Sequence, residues 1–133
     1  MRQAFVDTSA WFALANRADA AHDAVRRALR DFRGGRLATS NFVLDETVSL
    51  CRYRLGHEAA TRVGQALLDP DTVDLLRITP ADEQAAWQLF RERADQRYSF
   101  TDCTSFSLMR RLGIGVAIAL DADFQTEGFE VVP

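Results

Sequence analysis

The chain has 133 residues, of which 47% are hydrophobic, so it is long and apolar enough to form one domain with a full core. Charged residues make up an ordinary 26%, which argues against bulk disorder. The formal net charge of −3 argues against a protein that binds nucleic acid by charge alone, because such proteins are usually basic.

The residue inventory also limits the chemistry and the compartment. All 16 positive residues are arginine, which excludes lysine-dependent chemistry but leaves guanidinium groups that can bind phosphate. The two cysteines, Cys51 and Cys103, match no zinc-binding spacing and are predicted to be packed thiols in a reducing compartment. The sequence has no signal-peptide layout and no apolar run of membrane-spanning length, so we expect a cytoplasmic protein without a membrane anchor.

Strands and helices alternate in the first half of the chain. Apolar runs predict strands, and helical periodicity predicts the segments between them, at positions 2–7 (strand), 10–16 (helix), 20–32 (helix), 36–39 (strand), 41–55 (helix) and 58–68 (helix). Gly34 and Gly35 end the second helix, and Gly56 ends the third. Ser40 or Asn41 is predicted to cap the third helix at its N-terminus.

The second half continues the alternation. Strands are predicted at 73–78, 116–120 and 129–132, with helices at 80–95 and 101–112. Pro80 stands at the first position of its helix, and Gly113 closes the last one. Residues 96–100 are predicted to be a loop.

This order of elements predicts the fold class. Strands separated by helices form βαβ units, which bring the strands into a parallel sheet. We therefore expect a single α/β domain over residues 1–133, with three layers: a mostly parallel central sheet and helices on both faces. The apolar run at Phe5 and Val6 suits a strand buried on both faces, which predicts that the first strand lies in the middle of the sheet.

Acidic residues stand where the predicted strands end and the helices begin. Asp7 ends the first strand, Asp102 opens the helix over 101–112, and Asp121 follows the strand over 116–120, with Asp123 two residues on. Glu46 lies one to two turns into the helix after the second strand, in a largely apolar stretch. These strand ends and helix starts share one edge of the sheet, which is where open α/β sheets bind ligands.

Each acid has an ordinary structural explanation as well. Asp7 and Asp102 suit helix caps, Glu46 suits a solvated helix face, and a turn accounts for the remaining pair. Gathered at one edge, however, the carboxylates repel one another unless a cation is present. Hard divalent cations such as Mg²⁺ prefer oxygen ligands and support phosphodiester hydrolysis by activating water.

Four segments together resemble the four acidic motifs of the PIN domain. They are Phe5-Val6-Asp7-Thr8-Ser9, Leu44-Asp45-Glu46-Thr47, Phe100-Thr101-Asp102-Cys103-Thr104-Ser105-Phe106 and Ala119-Leu120-Asp121-Ala122-Asp123-Phe124. Each motif alone is loose, but four in this order and spacing are specific. The likeness covers nearly the whole chain and is closest to the VapC-type toxins of bacterial toxin–antitoxin pairs.

The resemblance implies a metal-dependent endoribonuclease with a PIN-like fold. Asp7, Glu46, Asp102 and Asp121 match the catalytic acids that hold Mg²⁺ or Mn²⁺ and its water, and Asp123 is a further candidate ligand. The small hydroxyl residues beside the acids, Thr8 and Thr101, are expected to orient them. The implied partners are an RNA substrate, a cognate antitoxin protein and a second copy of the chain in a homodimer.

Other residues and other protein classes were weighed against this interpretation. Arg52 and Arg54 lie beyond Glu46 on the same helix and are candidates for contacts with RNA phosphate, or are simply solvated. A haloacid dehalogenase-type phosphatase carries its paired aspartates after the first strand, whereas only ten residues follow Asp123 here. A phospho-receiver domain requires a lysine that this chain lacks. A stand-alone PIN nuclease in RNA processing and a non-catalytic PIN module that binds RNA or protein remain open alternatives.

Overall fold

The sheet is parallel throughout. The computed structural model describes residues 2–32 and 35–133, and within these ranges five strands form one sheet. They are β1 (Arg2–Val6), β2 (Gly35–Ser40), β3 (Asp74–Leu76), β4 (Val116–Ile118) and β5 (Glu130–Val132). Their spatial order is β3-β2-β1-β4-β5, and every neighbouring pair is parallel. The predicted parallel sheet with the first strand in its middle is confirmed.

Helices surround this sheet and complete the three-layer α/β fold that the sequence predicted. In the described parts of the chain they are α1 (Thr8–Ala15), α2 (His22–Asp31), α3 (Asn41–Leu55), α4 (His57–Leu68), α5 (Pro80–Glu92), α6 (Phe100–Leu112) and α7 (Asp123–Thr126). Helix α3 packs along α4, α5 packs along α6, and α1 contacts both α2 and α3. Of the helices described, none is both long and apolar enough to cross a membrane.

Several predicted boundaries were wrong, and tertiary contacts explain why. Helix α1 begins at Thr8 rather than at residue 10, because the Asp7 side chain accepts the backbone N–H of Ser9 and caps the helix there. Strand β4 stops at Ile118 because its partner β1 stops at Val6, opposite it. Helix α7 lies where only a turn was expected. Gly34, one of the predicted helix stops, lies outside the described residues.

The core is built on the central strand. Ala4, Phe5 and Val6 of β1 are fully buried, as expected for a strand that is covered on both faces. Phe106 of α6 meets Phe124 of α7 edge to face, with ring centroids 4.9 Å apart, and Phe124 in turn packs near Phe5. Aromatic packing therefore joins the middle of the sheet to the starts of two helices that carry acidic residues.

The order of the strands creates a crevice at the carboxyl ends of β1 and β4. The chain moves from β1 outward to β2 and β3, and then returns to the other side of β1 with β4. The connections from these two neighbouring strands therefore lead off in opposite directions, which is the arrangement that opens ligand-binding crevices in parallel sheets. Asp7 follows β1 immediately, and Asp121 comes three residues after the end of β4.

Candidate active site

Asp7 is a buried carboxylate with one oxygen left without a partner. The residue is 3% exposed and caps helix α1. Its Oδ2 atom accepts hydrogen bonds from the Ser9 backbone N–H (3.2 Å) and the Ser9 hydroxyl (2.8 Å). Its Oδ1 atom is buried and has no hydrogen-bond partner among the described residues. Such an atom costs free energy unless a ligand, an ion or water occupies the space beside it.

The electrostatics of Asp7 point to the same requirement. Burial is the main cause that raises its pKa to about 7, although the hydrogen bond from Ser9 opposes the rise. The negative charges of Asp102 and Asp121 raise the pKa of Asp7 further. The structure thus brings these three aspartates within electrostatic range of one another, at the crevice between β1 and β4.

The Ser9 hydroxyl ties the two strand ends together. While it donates to Asp7, its oxygen accepts the backbone N–H of Leu120 at 3.1 Å. Leu120 immediately precedes Asp121, so one small side chain fixes Asp7 relative to the segment that carries the next acid. Ser9 was not among the residues predicted to orient the acids. Its position two residues after an acid at a strand end was the available signal.

Asp102 is held by the first turn of helix α6. Ser99 caps this helix: its hydroxyl accepts the Asp102 N–H (3.0 Å), and Asp102 Oδ2 accepts the Ser99 N–H (2.9 Å). Burial, the main cause, and the charges of Asp121 and Asp123 raise the pKa of Asp102 to about 6. The capping role weighed from the sequence is therefore real, and it coexists with membership of the acidic cluster.

Asp121 and Asp123 share the turn that leads from β4 into α7. Asp121 Oδ1 accepts the Asp123 backbone N–H at 3.1 Å, so the turn expected as the ordinary explanation for this pair is formed. Asp121 is exposed and Asp123 is half-buried. Partial burial and the charge of Asp121 raise the pKa of Asp123.

Glu46 lies on helix α3, which packs against the helix that Asp7 caps. It is half-buried, and in the described ranges it takes part in no hydrogen bond or ion pair. The next residue, Thr47, contacts Thr8 hydroxyl to hydroxyl at 3.4 Å, one position beyond Asp7. One turn before Glu46, Phe42 packs on Phe100 of α6 with ring centroids 6.2 Å apart. Glu46 thus belongs to a helix wedged between the elements that carry Asp7 and Asp102.

The acidic cluster is open rather than closed around an ion. Nowhere in residues 2–32 and 35–133 do three acidic, histidine or cysteine side chains stand close enough together to enclose a metal. The cluster offers one unpartnered buried oxygen and several carboxylates at longer range. Such an open donor set suits Mg²⁺ better than a cage of protein ligands would, because Mg²⁺ uses one or two carboxylates and retains water.

A protein-family model matches most of the chain. Residues 4–129 match the model of the PIN domain. The chain belongs to the PIN-domain family. This match contains all four acidic segments from which the family was predicted.

Relatives with known names refine the class of this PIN domain. It is 44% identical over 131 residues to the 23S rRNA-specific endonuclease VapC20 of Mycobacterium tuberculosis, a match covering 97% of this chain and 98% of the relative. The crystal structure of M. tuberculosis VapC20, described as a toxin that cleaves the sarcin–ricin loop, superimposes with a TM-score of 0.91 at 40% identity, covering 97% and 98% of the two chains. The expectation of an endoribonuclease of the VapC toxin class is confirmed.

A more distant structure shares the fold. The structure of VapBC2 from Rickettsia felis, bound to a DNA fragment from its promoter, matches with a TM-score of 0.75. The sequences are 12% identical, and the match covers 97% of this chain and 96% of the other. The three-layer arrangement is therefore retained at a level of identity where few side chains are shared.

Residues other than Thr8 and Thr101 donate the hydrogen bonds that the Asp7 and Asp102 carboxylates accept in this PIN domain. Thr8 and Thr101 were expected to orient the acids, but the Thr8 hydroxyl meets Thr47 instead of a carboxylate. The Ser9 hydroxyl donates to the Asp7 carboxylate, whereas the Asp102 carboxylate accepts the Ser99 backbone N–H and the Ser99 hydroxyl accepts the Asp102 backbone N–H. The reason is cap geometry, since a capping carboxylate or hydroxyl meets groups two or three residues away rather than its immediate neighbour.

The two candidate RNA-contact arginines are both exposed. Arg52 borders a wide groove between α3 and α4, and Arg77 borders the same groove. Arg54 also faces solvent on α3. Neither Arg52 nor Arg54 forms an ion pair with another of the described residues. Arg52 lies six residues beyond Glu46, which is about 9 Å along the helix axis.

Proposed function

We propose that the acidic cluster is the catalytic centre of a Mg²⁺- or Mn²⁺-dependent endoribonuclease, and that its substrate is the sarcin–ricin loop of 23S rRNA. The single observation that carries the proposal is Asp7 Oδ1, a buried carboxylate oxygen without a partner in the described residues, beside the charges of Asp102 and Asp121. A buried carboxylate oxygen beside further negative charges favours a cation.

The donor chemistry fits a divalent ion. Asp7 supplies the unpartnered oxygen, while Asp102, Asp121 and Asp123 supply charge and positions for hydrogen-bonded water. Glu46 is proposed to complete the set from helix α3. Such an ion supplies Lewis acidity to the scissile phosphate and lowers the pKa of the attacking water. The protein contributes the fixed orientation of the Asp7 carboxylate by the Ser9 hydroxyl and of the Asp102 carboxylate by the Ser99 backbone N–H.

The choice of RNA rests on similarity. VapC20, at 44% identity over almost the whole chain, is named for cleavage of 23S rRNA, and its structure is described with the sarcin–ricin loop as the cleaved site. Exposed arginines on α3 supply candidate phosphate contacts, and Arg52 and Arg54 are proposed to serve as such contacts. Hydrolysis by activated water should leave 5′-phosphate and 3′-hydroxyl ends, because it requires no attack by the ribose 2′-hydroxyl.

A cleavage assay with purified ribosomes or 23S rRNA tests this proposal. Wild type with Mg²⁺ or Mn²⁺ should cut within the sarcin–ricin loop, as mapped by primer extension. Chelator should abolish cutting, and Asp7→Asn should reduce it by about 10²-fold or more. An Arg26→Gln variant, changed at an exposed position on helix α2, should cut like wild type. Cleavage elsewhere would overturn the substrate, and cleavage that survives both chelator and Asp7→Asn would overturn the metal centre.

We also propose an antitoxin partner that blocks the acidic cluster. A negatively charged crevice attracts an arginine, which can pair with two carboxylates in place of a metal. A groove between α1 and α4, lined in part by Trp11, Leu14 and Val63, offers an apolar seat for a partner helix. Co-expression with the adjacent small gene should restore the growth that the toxin alone inhibits. A toxin that neither slows growth nor retains a partner would favour the stand-alone nuclease instead.

A homodimer completes the proposal. Trp87 and Phe90 on α5 are 55% and 40% exposed and stack on each other with ring centroids 5.8 Å apart. Exposed aromatic pairs are unusual on a monomer surface and are typical of interface centres. This pair supports the dimer that the family resemblance implied.

A further inference from the structure

Glu127 is a buried carboxylate just beyond the acidic cluster. Its side chain is 4% exposed, although it follows the exposed helix α7. Arg93 donates to it at 3.0 Å, the Tyr98 hydroxyl at 2.8 Å and Arg110 at 2.9 Å. Burial alone would raise the pKa of Glu127, but the hydrogen bonds from Arg93 and Arg110 lower it to about 2. Glu127 therefore stays charged and fully engaged with its donors at neutral pH.

The donors come from different elements. Arg93 terminates α5, Tyr98 lies in the loop before α6, and Arg110 lies on α6, where it also donates to the Glu127 carbonyl oxygen at 2.9 Å. Tyr98 directly precedes Ser99, the residue that caps Asp102. One side chain thus links the segment that holds Asp102 to the end of the segment that carries Asp121 and Asp123.

Helix α7 needs such an anchor. It has four residues, far fewer than a helix needs to be stable by itself. The acidic residues at its N-terminal end also repel Asp102, since the charges of Asp121 and Asp123 both act on that residue. The buried rings of Phe124 and Phe106 hold the segment from below, but they do not oppose this repulsion at the polar end.

We propose that Glu127 is a positioning residue that, through Tyr98 and the two arginines, holds the Asp121–Asp123 turn at a fixed separation from Asp102. The inference rests on the proposed metal-dependent function and extends it to residues that touch neither the ion nor the RNA. A site built from carboxylates on separate elements must be held in place before the ion arrives, or binding must supply the ordering free energy.

The test uses two variants and a matched control. Glu127→Gln removes the charge, and Tyr98→Phe removes only the link to the Ser99 loop, a milder change in case the first variant folds poorly. Asp82→Asn is the control. Asp82 has a 2% exposed side chain and pairs with Arg111 at 2.7 Å, far from the acidic cluster at the opposite end of α6. Each variant is compared with wild type by thermal unfolding, Mn²⁺ calorimetry, amide hydrogen exchange without metal, and RNA cleavage kinetics.

If Glu127 positions the acids, Glu127→Gln weakens Mn²⁺ binding by about tenfold and Tyr98→Phe by about threefold, in keeping with residues that orient metal ligands. In both variants kcat falls while KM for RNA stays within about twofold. Exchange accelerates at residues 97–103 and 121–128. Asp82→Asn lowers the melting temperature but keeps Mn²⁺ affinity and kcat within about twofold of wild type.

Two results would overturn the inference. One is a Glu127→Gln protein that melts earlier, like Asp82→Asn, yet binds Mn²⁺ and cleaves RNA like wild type. The other is unchanged exchange in both segments. Wild type that neither binds Mn²⁺ nor cleaves RNA would count against the proposed function instead, and the exchange measurement would then decide on Glu127 by itself.

Discussion

At the scale of single residues, Asp7 is subject to two opposing demands. As the cap of α1 it accepts two hydrogen bonds through Oδ2, which favours the charged form. As a 3% exposed group close to other acids it is penalised for that charge, and its pKa rises to about 7. Burial outweighs the two hydrogen bonds, so the charged Asp7 carboxylate destabilises the metal-free protein.

This conflict predicts an unusual pH dependence. The folded-state pKa of Asp7 lies above the ordinary value of 3.8, so the folded protein binds the proton more tightly than the unfolded chain does. The corresponding stability is complete below pH 4 and is lost as the pH rises through 7. When a chelator has removed metal ions at pH 8, the free energy of unfolding of Asp7→Asn should therefore exceed that of wild type by on the order of 1–3 kcal/mol.

Thermal melts between pH 5 and pH 8 measure this effect. The gap in melting temperature between Asp7→Asn and wild type should widen with pH and should narrow when Mn²⁺ stabilises wild type. Asp74→Asn is a control in which the pKa shift has the opposite direction, since hydrogen bonds from Arg36 lower the pKa of Asp74. If the difference in melting temperature between Asp7→Asn and wild type did not change with pH, the charged form of Asp7 would not destabilise the folded protein.

At the scale of elements, two consecutive helices begin in the same way but serve different ends. Thr79 and Asp82 form a capping box at the start of α5, and Ser99 and Asp102 form one at the start of α6. In α5 the acid pairs with Arg111, whereas in α6 it faces other acids. The same local motif therefore supports packing in one helix and the candidate site in the other.

This pair of caps provides a matched experiment. Ser99→Ala and Thr79→Ala should each cost about 1 kcal/mol of stability, because each removes one capping hydrogen bond. Only Ser99→Ala loosens the helix turn from which the Asp102 carboxylate projects, because the Ser99 hydroxyl accepts the Asp102 backbone N–H, so only this variant should weaken Mn²⁺ binding and slow RNA cleavage. Urea unfolding and calorimetry measure the two quantities. Equal losses of Mn²⁺ affinity in both variants would refute an orienting role for Ser99.

The elements also show what the sequence can reveal. The apolar run of β1 and its terminal acid were predictable, because a strand buried on both faces leaves a continuous hydrophobic pattern. Helix α7 was not, since its four residues are held by Phe124 and Glu127 rather than by local preference. The roles of Ser9 and Ser99 also escaped prediction, because they depend on which backbone groups the fold brings near each hydroxyl.

At the scale of the whole molecule, one exposed aromatic surface bears on the proposed homodimer. The exposed pair of Trp87 and Phe90 predicts a dimer through α5. A Trp87→Ser/Phe90→Ser double variant should sediment as a monomer at concentrations where wild type is dimeric. Tyr53→Ser, which removes an 85% exposed aromatic ring from α3, should leave the dimer intact. A double variant that still sediments as a dimer would place the interface elsewhere.

The parallel order of the strands has a consequence for synthesis of the toxin. Strand β1 ends at Val6, but its neighbour β4 starts only at Val116 and is therefore synthesised much later. At ordinary rates of about 5–20 residues per second, the central strand waits several seconds for that neighbour. A nascent chain released before then carries Asp7, Glu46 and Asp102 but lacks β4 and the acids after it. The acidic cluster can therefore form only after β4 and the acids that follow it have been synthesised.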